Sequence, residues 1–276
     1  MRKLERTPAR AAAGALLAGA LLAALPLAAQ DAPAPYDPGY GDRFLQTASP
    51  LANDKGLLQA IFTHRFNQPV NEAGGNNLGG LDSGANIGIG LSYVPVDRLE
   101  VEAYRASVGG DYEFAAKYTF LKPTAQLPLA LGLRGGMDWL TKFDIEDKVG
   151  GFAQGLVAYT FGGRVTLAAA PTYVSNTPLF KDVFNVPLMV QLKMGKGLFA
   201  TGEYVFRNKD LDGSVGQWSF ALEKALWHHR FSVWIGNSAA STVDQIMGGD
   251  YGGGVTESNI RLGFNIIRQF EIAPAP

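Results

Sequence analysis

The chain has 276 residues, of which 47% are hydrophobic, only 18% are charged and 34 are glycine, and its formal net charge is −1. A typical soluble domain has about 25% charged residues and about 7% glycine. This composition excludes a disordered chain, which would be polar and highly charged, and it gives no support to nucleic-acid binding, which needs a basic surface. Because the chain has no cysteine, a disulfide-bonded scaffold and a cysteine-ligated zinc site are also excluded.

The first 29 residues have the layout of a secretory signal peptide. Basic residues are concentrated in the first ten positions, and residues 11–25 then contain no polar side chain. Pro26 ends the apolar run, and the small residues Ala28 and Ala29 follow it. The run is short and rich in alanine, so we expect a cleaved signal rather than the alternative, a signal anchor that stays in the membrane.

The next segment, residues 30–55, is rich in proline and glycine and has neither a helical nor a strand period. Such a composition is typical of a linker, and we expect a short disordered periplasmic segment here. No later stretch has enough consecutive apolar residues for a transmembrane helix.

From residue 56 onward, apolar and polar residues alternate with a period of two, which indicates β-strands with two different faces. The alternation predicts twelve strands of about ten residues. Their ranges are 57–66, 84–94, 98–107, 112–121, 127–137, 152–161, 165–174, 186–194, 198–206, 217–226, 230–236 and 259–266.

The connections between these strands are mostly short after even-numbered strands and long after odd-numbered ones. Ten-residue strands in an even number, with short turns at one end and long loops at the other, are the pattern of an antiparallel outer-membrane β-barrel. We therefore predict a closed all-β transmembrane barrel over residues 56–270, with a C-terminal tail at 271–276. A secreted β-sandwich or soluble barrel would also alternate, and it remains the alternative fold.

The barrel topology places both termini and the short turns in the periplasm, and the long loops outside the cell. Outer-membrane lipids are then the expected neighbours of the apolar face. The last strand, with its alternating Leu262, Phe264, Ile266 and Phe270, is similar to the signal that the barrel-assembly machinery recognises, although Arg268 and the tail after Phe270 depart from it.

Charged residues on the polar face of the strands are predicted to line the lumen. They are Arg65, Glu100, Glu102, Glu113, Lys117, Arg134, Lys193, Glu203, Glu223, Arg230 and Arg261. Charges in a confined lumen must be paired or hydrated, so they form either a salt-bridge network that stiffens a closed barrel or the lining of a narrow pore. Their mixed signs argue against strong ion selectivity.

The stretch 62–120 resembles a family of bacterial outer-membrane barrel proteins that has no assigned function. The residues that carry the resemblance are His64, Arg65, Phe66, Asp82, Asn86, Asp97 and Arg98, and residues 112–118 extend it. The resemblance implies the fold and the envelope location, and it implies no activity. Asp97 and Arg98 also fit ordinary turn chemistry.

Catalytic and metal-binding motifs are weak. The sequence has no G-x-S-x-G elbow, and His64 has no partner serine that spacing can name, so a hydrolase on the barrel loops is the least favoured alternative. Residues 208–213 match half of an EF-hand loop, but Ser219 stands where a glutamate is required. We expect no enzyme activity, no cofactor and no metal site.

These observations predict a narrow channel or transporter for small polar solutes. The alternative is a closed structural barrel that acts through its outer loops.

Overall fold

A computed structural model describes residues 36–142, 147–207, 215–248, 256 and 258–272. These residues form fourteen strand segments in one sheet. The segments are β1 (Leu57–Phe66), β2 (Ala85–Val96), β3 (Leu99–Ala106), β4 (Asp111–Leu121), β5 (Leu129–Leu140), β6 (Val149–Phe161), β7 (Val165–Ala169), β8 (Thr172–Asn176), β9 (Lys181–Asn185), β10 (Leu188–Gly195), β11 (Leu198–Val205), β12 (Gln217–Leu226), β13 (His229–Gly236) and β14 (Arg261–Glu271). Two short α-helices, α1 (Val70–Ala73) and α2 (Val243–Gly248), lie in the connections.

The sheet closes on itself. Every strand pairs antiparallel with its neighbours, and the first strand, β1, pairs with the last, β14. Two strands are interrupted at prolines: Pro171 separates β7 from β8, and Pro187 separates β9 from β10. Proline has no N–H to donate to the ladder, which accounts for both breaks. The fourteen segments therefore make a closed twelve-stranded antiparallel β-barrel, as the alternation predicts.

The strand bounds agree with the predicted ranges to within a few residues, except in two places. β9 lies in a region that was expected to be an outer loop, residues 175–185, and β14 extends to Glu271. Short turns join β2 to β3, β6 to β7, β10 to β11 and β12 to β13, and the β4–β5 connection at the same end is somewhat longer. Most of the long connections lie at the other end of the barrel.

The two faces of the sheet differ in chemistry. On β2, Ile87, Ile89 and Leu91 are exposed on the outer face, whereas Asn86 and Ser92 are buried on the inner face. The same division holds around the barrel, so an apolar belt faces outward and polar side chains face the lumen. No helix among the described residues is long and apolar enough to cross a membrane.

The lumen is filled from the short-turn end by residues 36–56, which we call the lumen hairpin. It enters beside the β12–β13 turn, reverses at Leu45 and Gln46, and returns to β1. Its two limbs pair between Arg43 and Ala48, and Phe44 N–H donates to the Thr47 carbonyl at 2.9 Å. This corrects the expectation of a disordered linker over 30–55 for the part of it that the structure describes.

The reason for this difference lies in the few large apolar residues of a segment otherwise rich in proline and glycine. Tyr40, Phe44 and Leu45 are fully buried inside the barrel. Tyr40 and Phe44 stack at 5.1 Å between ring centroids, and Leu45 packs against Trp234 on β13.

A second insertion comes from the long-loop end. Residues 237–248, here called the lumen loop, connect β13 toward β14 and carry α2. All six residues of α2 are buried. The helix packs against β6, β8 and β9, so this part of the predicted outer loop 237–258 lies within the barrel.

Candidate functional site in the barrel lumen

The tip of the lumen hairpin is held by one carboxylate of the barrel wall. Glu203 on β11 accepts hydrogen bonds at its Oε1 from three consecutive backbone N–H groups, those of Leu45 (2.8 Å), Gln46 (3.1 Å) and Thr47 (3.2 Å). The Thr47 hydroxyl donates to its other oxygen at 3.3 Å. A turn that directs successive N–H groups to one point is a natural site for an anion, and here the anion is a wall side chain.

Other wall strands contact the hairpin on its remaining sides. Lys117 Nζ on β4 donates to the Asp42 carbonyl at 2.7 Å, and Thr119 Oγ1 donates to the Pro50 carbonyl at 2.9 Å. Asn265 on β14 donates to the Leu45 carbonyl at 3.1 Å. The hairpin is thus hydrogen-bonded to opposite parts of the ring.

A cluster of seven charges joins the hairpin to β3, β4 and β5. Its members are Asp42, Arg43, Glu100, Glu102, Glu113, Lys117 and Arg134. Arg134 bridges Glu102 (3.0 Å) and Glu113. Arg43 of the hairpin pairs with the same Glu102. Since four acids meet three bases, the cluster is close to neutral, which buried charges require.

A second network lies on the opposite wall. Arg230 on β13 binds Glu223 with two nitrogens, at 2.9 and 3.1 Å, and donates to the Tyr40 carbonyl at 3.1 Å. The Thr201 hydroxyl donates to the same carboxylate at 2.5 Å, and the Ser232 hydroxyl donates at 3.0 Å. Every hydrogen bond that the described residues donate to Glu223 therefore comes from the wall itself.

The lumen loop is held by both polar and apolar contacts. Asn86 on β2 donates to the Ala239 carbonyl (2.9 Å) and to Gln245 (3.0 Å), and Glu113 accepts the N–H of Val243 at 2.7 Å. On the other side, α2 meets an apolar patch of the inner wall. The patch consists of Phe152, Val174, Val183 and Val205.

The hairpin and the loop approach each other and leave almost no space. The cavity between Gln46 and Thr47 on one side and Val243 and Met247 on the other has a volume of about 20 Å³. That volume holds about one water molecule. A larger cavity of about 390 Å³ opens at the short-turn end, beside Lys193, Lys196 and Trp227. At this cavity, the described residues of the two insertions leave no room for more than about one water molecule.

The structure places all the predicted lumen-lining charges on the inner side of the ring. Most belong to the contacts above. The remaining three are Arg65, whose guanidinium lies 4.5 Å from the centroid of the Trp234 ring, Arg261, which donates to the carbonyls of Asn67 and Asn237, and Lys193, which lines the larger cavity. Their part in the passage of a solute stays a prediction.

The residues of the family resemblance are spread over the barrel and do not form one site. Arg65 and Asn86 point inward, Asp82 is exposed in the β1–β2 loop, and Asp97 and Arg98 form the β2–β3 turn. Lys122 Nζ donates to Asp97 at 2.9 Å, and this hydrogen bond lowers the pKa of the Asp97 carboxyl. Arg98 has a positive φ of 70° and donates to the Phe120 carbonyl at 3.1 Å, which is turn chemistry.

His64 lies on the outer face of β1 between Phe66 and Phe264 and stacks on Phe264 with 5.1 Å between ring centroids. Among the described residues, no serine is hydrogen-bonded to it, so this part of the chain gives it no catalytic partner. The half EF-hand motif at 208–213 lies outside the described residues, as does the signal peptide.

The site also contains residues that no sequence pattern indicated. Asp42 and Arg43 belong to the lumen hairpin, whose sequence has no helical or strand period. In the sequence, only their charge sets them apart from the neighbouring residues of the hairpin. Three aspartates also meet in the lumen. Asp111 begins β4, Asp138 lies in a part of β5 that was predicted to be a loop, and Asp244 lies in the lumen loop.

Comparison with known proteins identifies a family. Residues 41–270 match the family described as membrane bound beta barrel domain, DUF5777. No curated protein matches the sequence significantly. Among solved structures, the chain is similar to the COG4313 outer membrane channel from Pseudomonas putida F1, with 12% identity, 80% of this chain and 97% of that chain covered, and a TM-score of 0.47. It is also similar to outer membrane phospholipase A from Escherichia coli, with 10% identity, 79% of this chain and 91% of that chain covered, and a TM-score of 0.41.

Proposed function

Because this chain belongs to the family of membrane-bound beta barrel domains, we propose that it is an outer-membrane channel for small polar solutes that the lumen hairpin and the lumen loop keep closed at rest. The proposal rests on the chemistry of the wall behind the insertions and on the way in which the hairpin is held there.

The observation that carries it is the polar character of most of the inner wall. Polar side chains face inward on nearly every strand. They include Gln59, Ser92, Thr119, Thr160, Gln191, Thr201, Ser232 and Asn265. A permanently filled barrel can bury apolar side chains with equal or greater stability, because buried polar groups need partners. A polar wall is useful when the lumen is at times filled with water.

The hairpin is held in a way that permits its release. Many of its contacts with the wall are hydrogen bonds and ion pairs, such as those of Glu203, Lys117 and Arg230, and water can replace each of them. The apolar packing of Tyr40, Phe44 and Leu45 against the wall opposes release. Both of its limbs lie toward the short-turn end, so withdrawal does not require the barrel to open. The mixed charges of the exposed wall then favour small polar solutes over ions of one sign.

The alternative is a closed barrel that acts through its outer loops. The packing of α2 favours it, because the inner wall beside the helix is apolar and would be poorly wetted if the loop left. In this case the charge cluster serves only stability, and the path never opens.

Solute uptake by proteoliposomes separates the two functions. We would compare the mature protein with a variant that lacks residues 36–50 and with a variant in which residues 238–248 are replaced by a short glycine–serine linker. A variant that lacks the exposed loop residues 74–79 is the matched control. The channel predicts swelling in a small neutral sugar for at least one lumen variant and little for the control. If both lumen variants fold, by heat-modifiable mobility, and admit no sugar, the closed barrel is correct.

A further inference from the structure

Three buried carboxylates meet where the lumen loop touches the wall. Asp111 begins β4, Asp138 lies on β5, and Asp244 lies on α2 of the lumen loop. One oxygen of each lies within 4.8 Å of the others, and none of the three residues is more than 1% exposed.

The second observation is that two of these carboxylates have acceptor oxygens to which none of the described residues donates. Both oxygens of Asp138 and Oδ1 of Asp111 are buried and accept no hydrogen bond from this part of the chain. A buried carboxylate without a partner is very costly, and nearly all buried polar groups in folded proteins are satisfied. The unsatisfied oxygens point to a ligand that supplies positive charge.

Among the described residues, no lysine or arginine forms an ion pair with Asp111 or Asp138. Arg134 lies on the same strand as Asp138, but its guanidinium is already hydrogen-bonded to Glu102, Glu113 and Gln154. The acidic group of Asp42, Glu100 and Glu102 forms a contrast, because Arg43 and Lys117 pair with it directly. The described residues therefore supply basic partners to the group of Asp42, Glu100 and Glu102, and they supply none to Asp111 or Asp138.

We propose that Asp111, Asp138 and Asp244 bind a divalent cation of the hard, oxygen-seeking class, Ca²⁺ or Mg²⁺. Such cations take carboxylate, hydroxyl and carbonyl oxygens, and Ca²⁺ accepts six to eight of them in flexible geometry. The Thr242 hydroxyl is hydrogen-bonded to Asp111 (2.5 Å) and Asp244 (2.8 Å) and lies beside the same carboxylates as a further oxygen. The bound cation would join the lumen loop to β4 and β5 and hold it in the barrel.

The test measures binding and stability, with no transport readout, so its outcome does not depend on the proposed channel. The mature protein is refolded in detergent, stripped with EDTA, and titrated with Ca²⁺ or with Mg²⁺. Bound metal is counted by mass spectrometry after dialysis, and thermal unfolding is followed by heat-modifiable gel mobility. We expect about one cation per chain and an unfolding temperature that rises by several degrees with cation concentration. The arm with the larger rise identifies the preferred ion.

Two variants remove one carboxylate each, Asp138→Asn on the wall and Asp244→Asn on the loop. Each should lose the cation-dependent rise. In EDTA, Asp138→Asn should unfold at a higher temperature than the wild type, because it relieves the repulsion among three carboxylates. Asp182→Asn on β9 changes an exposed aspartate that bonds Tyr173, and it should keep the full rise.

Wild-type protein that retains no metal and shows no cation-dependent rise would overturn the proposal, and so would a variant pair that keeps the rise of the wild type. The wild-type titration is decisive even if Asp138→Asn fails to fold. Asp244 lies outside the barrel strands, so Asp244→Asn tests the cation dependence independently of any effect on strand folding.

Discussion

The carboxylate of Glu203 on β11 accepts a hydrogen bond of 2.8 Å from the backbone N–H of Leu45, at the tip of the lumen hairpin. The residues are separated by 158 positions in the sequence, and both are buried. The side chain of Glu203 thus fixes the point at which the hairpin reverses. Substitution of Glu203 should therefore release the tip of the hairpin before its two limbs.

Glu203→Ala should expose the hairpin tip. It removes three backbone hydrogen bonds to a charged acceptor, each of which contributes about 1.5–3 kcal/mol. Because the natural chain has no cysteine, Gln46→Cys gives one reporter thiol at the tip. We expect a water-soluble maleimide to label this thiol at least about tenfold faster when Glu203→Ala is added. Equal labelling rates with and without Glu203 would mean that the carboxylate does not hold the hairpin.

The ion pair of Lys117 and Glu100, at 3.2 Å, gives a prediction about stability. Lys117→Met or Glu100→Gln alone leaves a buried charge without its partner, and each should cost about 3–5 kcal/mol in the free energy of unfolding. The double variant removes both charges and should lie closer to the wild type than either single variant. Urea unfolding in lipid vesicles measures this double-mutant cycle, and additive losses would show that the pair is not coupled.

Gly88 on β2 makes room for the ring of Tyr104 on β3. A Cβ at this position would overlap the Tyr104 hydroxyl, which is bonded to Thr63 at 2.5 Å. Gly88→Ala should therefore displace the ring and lower the free energy of unfolding by about 1–3 kcal/mol. Gly135→Ala on β5 is the control, because its nearest contact would be the Phe152 carbonyl at an ordinary 3.5 Å. A similar effect of both substitutions would contradict the packing argument.

The apolar belt predicts a strong dependence on position for added charge. Val233 lies near the middle of β13 and is 71% exposed on the outer face, so Val233→Arg should cost about 2–4 kcal/mol in a bilayer. Trp227 is also exposed, but it lies in the β12–β13 turn, and Trp227→Arg should cost about 0–1 kcal/mol. Equal costs, measured by urea unfolding in vesicles, would place Val233 outside the hydrocarbon layer.

The wall of the barrel could be predicted from the sequence because its signal is local. A period of two assigns each residue of a strand to one face, so the inward position of Arg134 or Glu223 follows from the parity of its neighbours. The same rule places His64 outward, between Phe66 and Phe264. The prolines at 171 and 187 interrupt two strands without changing the topology.

The contents of the lumen could not be predicted, because their signals are long-range. The lumen hairpin has no period, and its hold on Glu203 joins residues that nothing local connects. The three aspartates of the proposed cation site lie in a strand, in a region that reads as a loop, and in an inserted helix. Only the folding of residues 237–248 into the barrel brings Asp244 to Asp111 and Asp138.

Planar-bilayer recording of the mature protein, of the variant that lacks residues 36–50 and of the variant in which residues 238–248 are replaced tests the closed resting state most directly. We predict that the wild type is closed nearly all the time and that at least one of the two variants shows steady conductance, which rises with salt and selects weakly between cations and anions. A wild type that is steadily open, or two folded variants that both stay closed, would contradict this prediction.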